Sequence, residues 1–411
     1  MGFQSGLSGL NTSSKNLDVI GNNVANASVV GFKGAQAQFA DVFANSLSGA
    51  SSSQIGIGSK VAAVAQQFSQ GNISVTSNPL DLAINGKGFF RLDENGAINY
   101  SRNGQFHFDS QGFIVNDEGL QLTGYGVDAN GNVLPAAPAP ILIGFADINP
   151  QTTSQFRIGL NLDSRQTPPA TALFSPIDAT SYNFSTSGSV FDSLGNPHVL
   201  TTYYVKSATL NQWQVYGTVD GSLANANIGA GAGLPVTLNF STAGQLTTGM
   251  PLTASLVIGT GAATPLGFTF DYTGSTQFGS VFGVNDLTQN GFASGRLAGF
   301  NVGGDGVIVG SYTNGQSRNL GQVVLADFRN PQGLNPLGNN LWAETSQSGL
   351  AIVGVPGSGS VGQLQSSAVE DSNVDLTAEL VNMITAQRVY QANAQTIKTQ
   401  DAILQTLVNL R

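Results

Sequence analysis

Glycine supplies 52 of the 411 residues, yet neither glycine nor proline occurs from Val374 to Arg411. That uninterrupted run constrains the fold more than any other feature. As a single helix it would extend about 55 Å, at 1.5 Å per residue. Leu376, Leu380, Met383, Gln387, Tyr390, Ala394, Ile397, Asp401, Leu404 and Val408 recur at alternating spacings of four and three. Such a stripe packs lengthwise on another helix, with Gln387 and Asp401 as polar interruptions. Ser372 or Asn373 can cap the start. Asp375 and Glu379 fall in the first turns, where the helix dipole favours anions.

A matching stripe opens the chain. Phe3, Leu7, Leu10, Leu17 and Val24 keep the same spacing, with Ser14 and Gly21 at the two missing positions. Residues 1–27 are therefore expected to be helical. Gly2, Gly6, Gly9 and Gly21 each cost a helix up to about 1 kcal/mol against alanine. Alone, this segment is marginal in water. The two terminal helices are expected to meet as a coiled coil. A closed intramolecular pair would need nothing further. Two marginal helices at the periphery favour the other reading, in which each pair packs on neighbouring copies around a tube axis.

The middle of the chain reads as β. Asp93-Glu94-Asn95-Gly96, Asp109-Ser110-Gln111-Gly112, Asn116-Asp117-Glu118-Gly119, Asp128-Ala129-Asn130-Gly131 and Asp192-Ser193-Leu194-Gly195 are turn signals between short apolar or alternating runs. Strands at that spacing indicate antiparallel sheets or barrels. Pro135, Pro138, Pro140 and Pro150 mark one boundary, and the glycines from Gly279 to Gly291 a second. The expected fold is mainly β with terminal α-helices and one β-domain inserted in another. Residues 1–30 and 370–411 form the helical domain, and 31–70 with 363–369 a connecting segment. Residues 71–145 and 285–362 form an inner β-domain, and 146–284 an outer inserted one.

Chemistry is scarce. Cysteine is absent, which removes disulfides, thiol catalysis and cysteine-ligated zinc. Histidine occurs only as His107 and His198. Asp192, Asn196 and His198 could ligate a metal, but a hairpin turn explains them better. Asp93, Asn95 and Gly96 echo a calcium loop whose final Glu is missing, since position 104 is Gly104. No enzyme, cofactor or metal site is expected. Lys and Arg total 15 against 24 Asp and Glu, a net charge of −9 with no footprint for nucleic acid. No apolar run is long enough for a membrane-spanning helix. The first residues lack the basic and apolar regions of a secretory signal.

Three ordered motifs carry a resemblance. Gly21-Asn22-Asn23-Val24-Ala25-Asn26, followed by Gly31-Phe32-Lys33, resembles the N-terminal signature of flagellar rod and hook proteins. Leu80-Asp81-Leu82-Ala83-Ile84-Asn85-Gly86-Lys87-Gly88-Phe89-Phe90 and Tyr100-Ser101-Arg102-Asn103-Gly104-Gln105-Phe106 are similar to the family's next motifs. The C-terminal run from Ser372 through Glu379-Leu380-Val381-Asn382-Met383-Ile384 to Gln387-Arg388-Val389-Tyr390 completes it. Within that family, the length and the insertion favour the hook subunit over a shorter distal rod subunit.

The resemblance implies a homopolymer, an extracellular tube joining rod and filament and passing torque between them. It implies the distal rod, the hook cap, the hook–filament junction proteins and the flagellar type III export apparatus as partners. The helical stripes would be its seam, and Asn22, Asn23, Asn26, Gly31, Phe32 and Lys33 a signature bend. The bend lacks the frame of a phosphate loop, and its Asn side chains are expected to bond backbone. A reading from another class is a carbohydrate-binding β protein acting through 146–284. Its acids, among them Asp163, Asp178, Asp192, Asp220 and Asp271, stand in turn-like contexts that argue against a glycosidase pair.

Overall fold

The computed structural model describes residues 2–42, 56–144 and 146–409. Residues 43–55 of the expected connecting segment, and Met1, Phe145, Leu410 and Arg411, lie outside the described residues. Two helices, α1 (Gly2–Ala25) and α2 (Leu376–Asn409), flank a succession of short strands. The chain separates into two compact units. One comprises 1–145, 299–311 and 317–411; the other comprises 146–298 and 312–316.

The first unit is built on antiparallel pairing. Strands Ser317–Val323, Gln121–Tyr125, Phe89–Glu94, Ala97–Ser101, Leu341–Ala343 and Asn335–Gly338 neighbour one another in that order. The hairpin joining Phe89–Glu94 to Ala97–Ser101 turns at Asn95 and Gly96, with φ of 54° and 96°. Both central residues have positive φ, which the right-handed twist of a hairpin favours. Phe89, Tyr100, Phe328 and Trp342 bury their rings edge to face beneath the sheet. A second hairpin, Ala35–Val42 with Gly58–Gln66, pairs only with itself among the described residues and packs on α1.

The turn signals share one mechanism. Asp109, Asn116, Asp128 and Asp192 each use a side-chain oxygen to accept the backbone N–H groups two and four residues on. Glycine follows at the third position with positive φ in every case. The side chain replaces backbone partners that a tight turn leaves unpaired.

The second unit holds a four-stranded antiparallel sheet of Phe184–Phe191, Pro197–Lys206, Gln212–Val219 and Val236–Asn239, and a five-stranded sheet around Gln155–Asn161. Gln155–Asn161 pairs parallel with Leu266–Asp271, a departure from a wholly antiparallel domain. Strand Pro197–Lys206 alternates strictly, burying His198, Leu200, Thr202, Tyr204 and Lys206. Trp213, Phe156, Phe270 and Tyr272 fill the core with them.

The expected boundary at 284/285 falls inside a strand. Gly283–Gln289 pairs antiparallel with Gln155–Asn161, so the second unit runs to 298. Residues 312–316 also group with it. The glycines read as a boundary instead flank that strand.

Candidate functional site

The two helices run antiparallel with a seam of small and polar residues. Gly6 lies against Ile397 and Gly9 against Asn393. Asn23 Nδ2 donates to Glu379 Oε1 at 3.2 Å. Ile20 and Ala386 are the buried apolar side chains among the described residues of both helices. Glycine at positions 6 and 9 weakens the helix but lets the two backbones approach closely.

This register turns the expected stripes partly aside. On α1, Leu10, Leu17 and Val24 are half-buried, while Phe3 and Leu7 are each 45% exposed. On α2, Met383, Ala394 and Ile397 are half-buried, while Leu376, Leu380, Tyr390, Leu404 and Val408 are exposed. The face that α2 turns to α1 runs through Glu379, Met383, Ala386, Asn393 and Ile397; it shares Met383 and Ile397 with the apolar stripe and elsewhere lies one position N-terminal to it. The stripe thus forms a flank of the pair more than its seam. With Gly6 opposite Ile397, α1 begins opposite about position 401 of α2. The remaining two turns of α2 carry exposed Ile403, Leu404 and Val408 past that point.

Asp375, rather than Ser372 or Asn373, caps α2. Its Oδ1 accepts from Thr377 N at 2.9 Å and Ala378 N at 3.1 Å. Asn373 ties the helix entrance to the chain leaving the bend instead. It accepts from Gly34 N at 2.8 Å and donates to Gln67 O and Ser69 Oγ. A groove of about 800 Å³ opens between both helices and the hairpin, lined by Thr12, Asn16, Ile20, Phe39, Asn382 and Val389 among others.

The signature bend is an anchor. Asn23 is buried, and its amide mimics a strand partner: Nδ2 donates to Ala35 O at 2.8 Å and Oδ1 accepts from Ala35 N at 2.9 Å. Asn26 donates to Asn22 O, and Asn22 itself is exposed. Gly31 has φ of 71°, and a Cβ there would lie 2.5 Å from Asn103 N. Only glycine fits such a position without displacement. Its N–H donates to Glu370 O at 2.7 Å. Phe32 is half-buried.

Lys33 is wholly buried. Its Nζ meets Glu370 Oε1 at 2.6 Å and donates to Ser69 O at 2.8 Å. Arg102 Nη1 meets Glu370 Oε2 at 3.0 Å, while Nη2 donates to Gly86 O at 2.8 Å. Gly71 N also donates to Oε1. Burial pushes both cations' pKa values down, and Glu370 offsets this only in part, so both stay lowered. Two cations share one carboxylate, and each also donates to a carbonyl, which offsets much of the cost of burying them, although Arg102 Nε is left buried without a hydrogen-bond partner. It joins the N-terminal bend, the Arg102 motif and the strand Ala368–Glu370 that leads to α2.

Sequence reasoning placed Lys33 in the bend and missed Glu370 as its partner. The one available signal was chemical: a lysine in a signature otherwise made of Asn, Gly and apolar residues needs a counter-charge from elsewhere.

The acids of the second unit are engaged locally. Asp163 accepts three hydrogen bonds from Arg165, Asp178 caps the turn at Thr180, and Asp271 accepts from Thr273. Asp192 and Asp220 flank His198.

Four family models match in chain order. They are "Flagella basal body rod protein" over 3–33, "Flagellar hook protein FlgE/F/G D1 domain" over 83–191, "Flagellar basal body protein FlaE D2 domain" over 161–292 and "Flagellar basal body rod FlgEFG protein C-terminal" over 365–410. A mainly β chain with paired terminal helices and these models is a flagellar axial protein. Among curated relatives, the flagellar hook proteins FlgE of Salmonella typhimurium and Escherichia coli K12 are each 44% identical, with all of both chains covered. The FlgE of Borreliella burgdorferi is 33% identical over 99% of this chain and 98% of its own. A crystal structure of Helicobacter pylori flagellar hook protein FlgE2 shares the fold, with TM-score 0.53 at 14% identity over 72% of this chain and all of that one. The chain belongs to the flagellar hook protein family, the structural subunits of the hook of the bacterial flagellum.

Proposed function

We propose that many copies assemble into the hook tube through the exposed apolar flanks of the helical pair. Phe3, Leu7, Leu10, Leu17 and Val24 of α1 would face neighbouring copies. So would Leu376, Leu380, Tyr390, Ala394, Leu404 and Val408 of α2, whereas Met383 and Ile397 of the same stripe lie on the face turned to α1 and hold the pair together. The observation that carries this reading is the exposure of Phe3, Leu7, Leu376, Leu380, Leu404 and Val408 on a helical pair whose buried apolar side chains, among the described residues, are Ile20 and Ala386. Exposed large apolar side chains repeated along both helices mark an interface.

The bend and the Lys33–Arg102–Glu370 cluster fix the direction in which the pair leaves its β-unit. Residues 31–70 and 363–369 serve as the connection. Residues 71–145, 299–311 and 317–362 serve as the inner domain and 146–298 with 312–316 as the outer one. The outer unit's Thr-, Ser- and Gly-rich surface suits small, polar, wet contacts that slide as a curved tube rotates.

Family membership supports an extracellular place in the hook–basal body. It also supports the distal rod, hook cap, hook–filament junction proteins and flagellar type III export apparatus as partners, with export independent of a cleavable signal. Marginal terminal helices suit a chain that is threaded before it folds. The test is electron microscopy of the purified full chain, together with limited proteolysis of the monomer. Tubes, and monomer trimming confined to about 1–70 and 363–411, are expected. Permanent monomers, or first cleavage within 146–298, would overturn the reading.

A further inference from the structure

The hairpin turn at Asp192 gathers a cluster that lies outside the proposed helical interface. Asp192 is fully buried, and His198 is 4% exposed on the inward side of its strand. Both ring nitrogens face carboxylates: Nδ1 lies 2.7 Å from Asp220 Oδ2, and Nε2 lies 3.3 Å from Asp192 Oδ2. A neutral imidazole carries one N–H, so it can satisfy only one of these contacts.

Asp192 cannot supply the missing proton. Its Oδ1 accepts the N–H groups of Leu194 and Asn196, and its Oδ2 accepts Asn196 Nδ2 and Thr260 Oγ1. That arrangement demands an ionised carboxylate. The geometry therefore calls for an imidazolium between two anions.

The cluster ties three separate pieces of chain. Asp192 belongs to the turn between Phe184–Phe191 and Pro197–Lys206. Asp220 follows Gln212–Val219, and its Oδ1 accepts from Val199 N at 2.9 Å. Thr260 lies in 257–263, which Ser193 also holds by accepting from Ala263 N. The same turn rests on the segments by which the chain enters and leaves this unit. Gly195, with φ of 86°, would carry a Cβ 2.7 Å from Pro150 and 3.4 Å from Ala293. Those segments bridge each other at Ile148–Gly295 and Gln151–Phe292.

We propose that Asp192, His198 and Asp220 form a proton-operated latch at the root of the outer unit. With the imidazolium in place, the three pieces of chain are fastened together. Loss of its proton leaves a nitrogen lone pair against a buried carboxylate and loosens them. The neighbouring strands Phe184–Phe191 and Gln212–Val219 and the segment 257–263 carry no charged side chain. Lys206 stands at the far end of the same strand, and Asp147 and Arg296 lie 4.0 Å from each other. The two aspartates are thus the charges that face the ring among the described residues.

Burial pushes the His198 pKa down, but its bonds to Asp220 and Asp192 outweigh that and raise it above the ordinary 6.5. The stabilisation is therefore fully present below about 6.5 and lost as pH rises through the folded-state value. Burial likewise pushes Asp192 up, but the bonds from Asn196, Thr260 and His198 win and hold it well below the usual carboxylate range. Its contribution is present above 3.8 and lost as pH falls through its folded value. The latch is closed between those two limits.

The chain's two histidines make proton NMR titration of the full protein decisive. The His198 signal, identified by its loss in His198→Gln, is expected to titrate above 6.5. Asp220→Asn, at a half-exposed position, is expected to lower that midpoint by about one unit or more. Hydrogen exchange, corrected for intrinsic rate, should accelerate at 192–199, 219–223 and 257–263 above the midpoint, and His198→Gln should lack the step. A midpoint at or below 6.5, the same midpoint in Asp220→Asn, or no step in the unaltered protein would each overturn the latch. Should His198→Gln fail to fold, the Asp220→Asn titration still decides.

Discussion

The second compact unit and the helical pair solve burial in opposite ways. Strand Pro197–Lys206 sends every second side chain into a core that Trp213, Phe156, Phe270 and Tyr272 complete within the same unit. The helices bury Ile20 and Ala386 and leave Leu376, Leu380, Leu404 and Val408 outside. The first arrangement is finished in one chain; in the proposed assembly the second is covered by other chains. A structural subunit needs both: a part indifferent to its neighbours and a part that is incomplete without them. Within the unit that carries the helices, the Lys33–Arg102–Glu370 cluster sets position by charge rather than by apolar area.

The largest effect that could break this contrast comes from the cluster. Glu370→Gln leaves Lys33 and Arg102 buried without a counter-charge, and removing one partner of a buried pair costs about 3–5 kcal/mol. Urea unfolding of the monomer should show that loss. Hydrogen exchange should place it at 31–34, 69–71 and 102, with the core amides of 197–219 unaltered. Equal loss of protection in both units would show that they are not independent.

A smaller effect is expected at the seam. Ile397 lies half-buried against Gly6, so Ile397→Asp sets a carboxylate against the α1 backbone at a cost of about 1–3 kcal/mol. Circular dichroism of the monomer should lose helix while both β-units keep their unfolding midpoints. An unchanged helical signal would mean that the seam does not hold the pair.

The fold was legible in the sequence where one physical signal sufficed. A glycine-free run gave α2, and Asx-Gly turns gave the hairpins at 109, 116, 128 and 192, because each such turn is closed by its own side chain. The domain edge at 284 was misread because glycines flank the strand Gly283–Gln289, whose membership depends on a partner more than a hundred residues away. The seam was only half legible. Period alone cannot say that Gly6, Gly9 and Asn393 would form the contact, since glycine counts against a helix until a second backbone needs the space. Glu370 was invisible for a related reason: nothing near it in sequence is basic, and its two cations come from Lys33 and Arg102.

The smallest effect on the isolated chain is the one that most sharpens the comparison. Leu380 follows the same spacing as Ile397, but it is 44% exposed and points to the flank. An aspartate there keeps its water in the monomer, so Leu380→Asp should change monomer stability by no more than about 0.5 kcal/mol. In a tube the same carboxylate would be enclosed by a neighbouring copy without a partner, at a cost of several kcal/mol in every subunit. Ile397→Asp weakens monomer and polymer together; Leu380→Asp should separate them. The expected result is a monomer with unaltered circular dichroism and unfolding that forms no tubes by electron microscopy. Normal tubes from Leu380→Asp would place the flank in solvent and confine the helices' role to the pair itself. A destabilised monomer would show instead that Leu380 belongs to the internal seam.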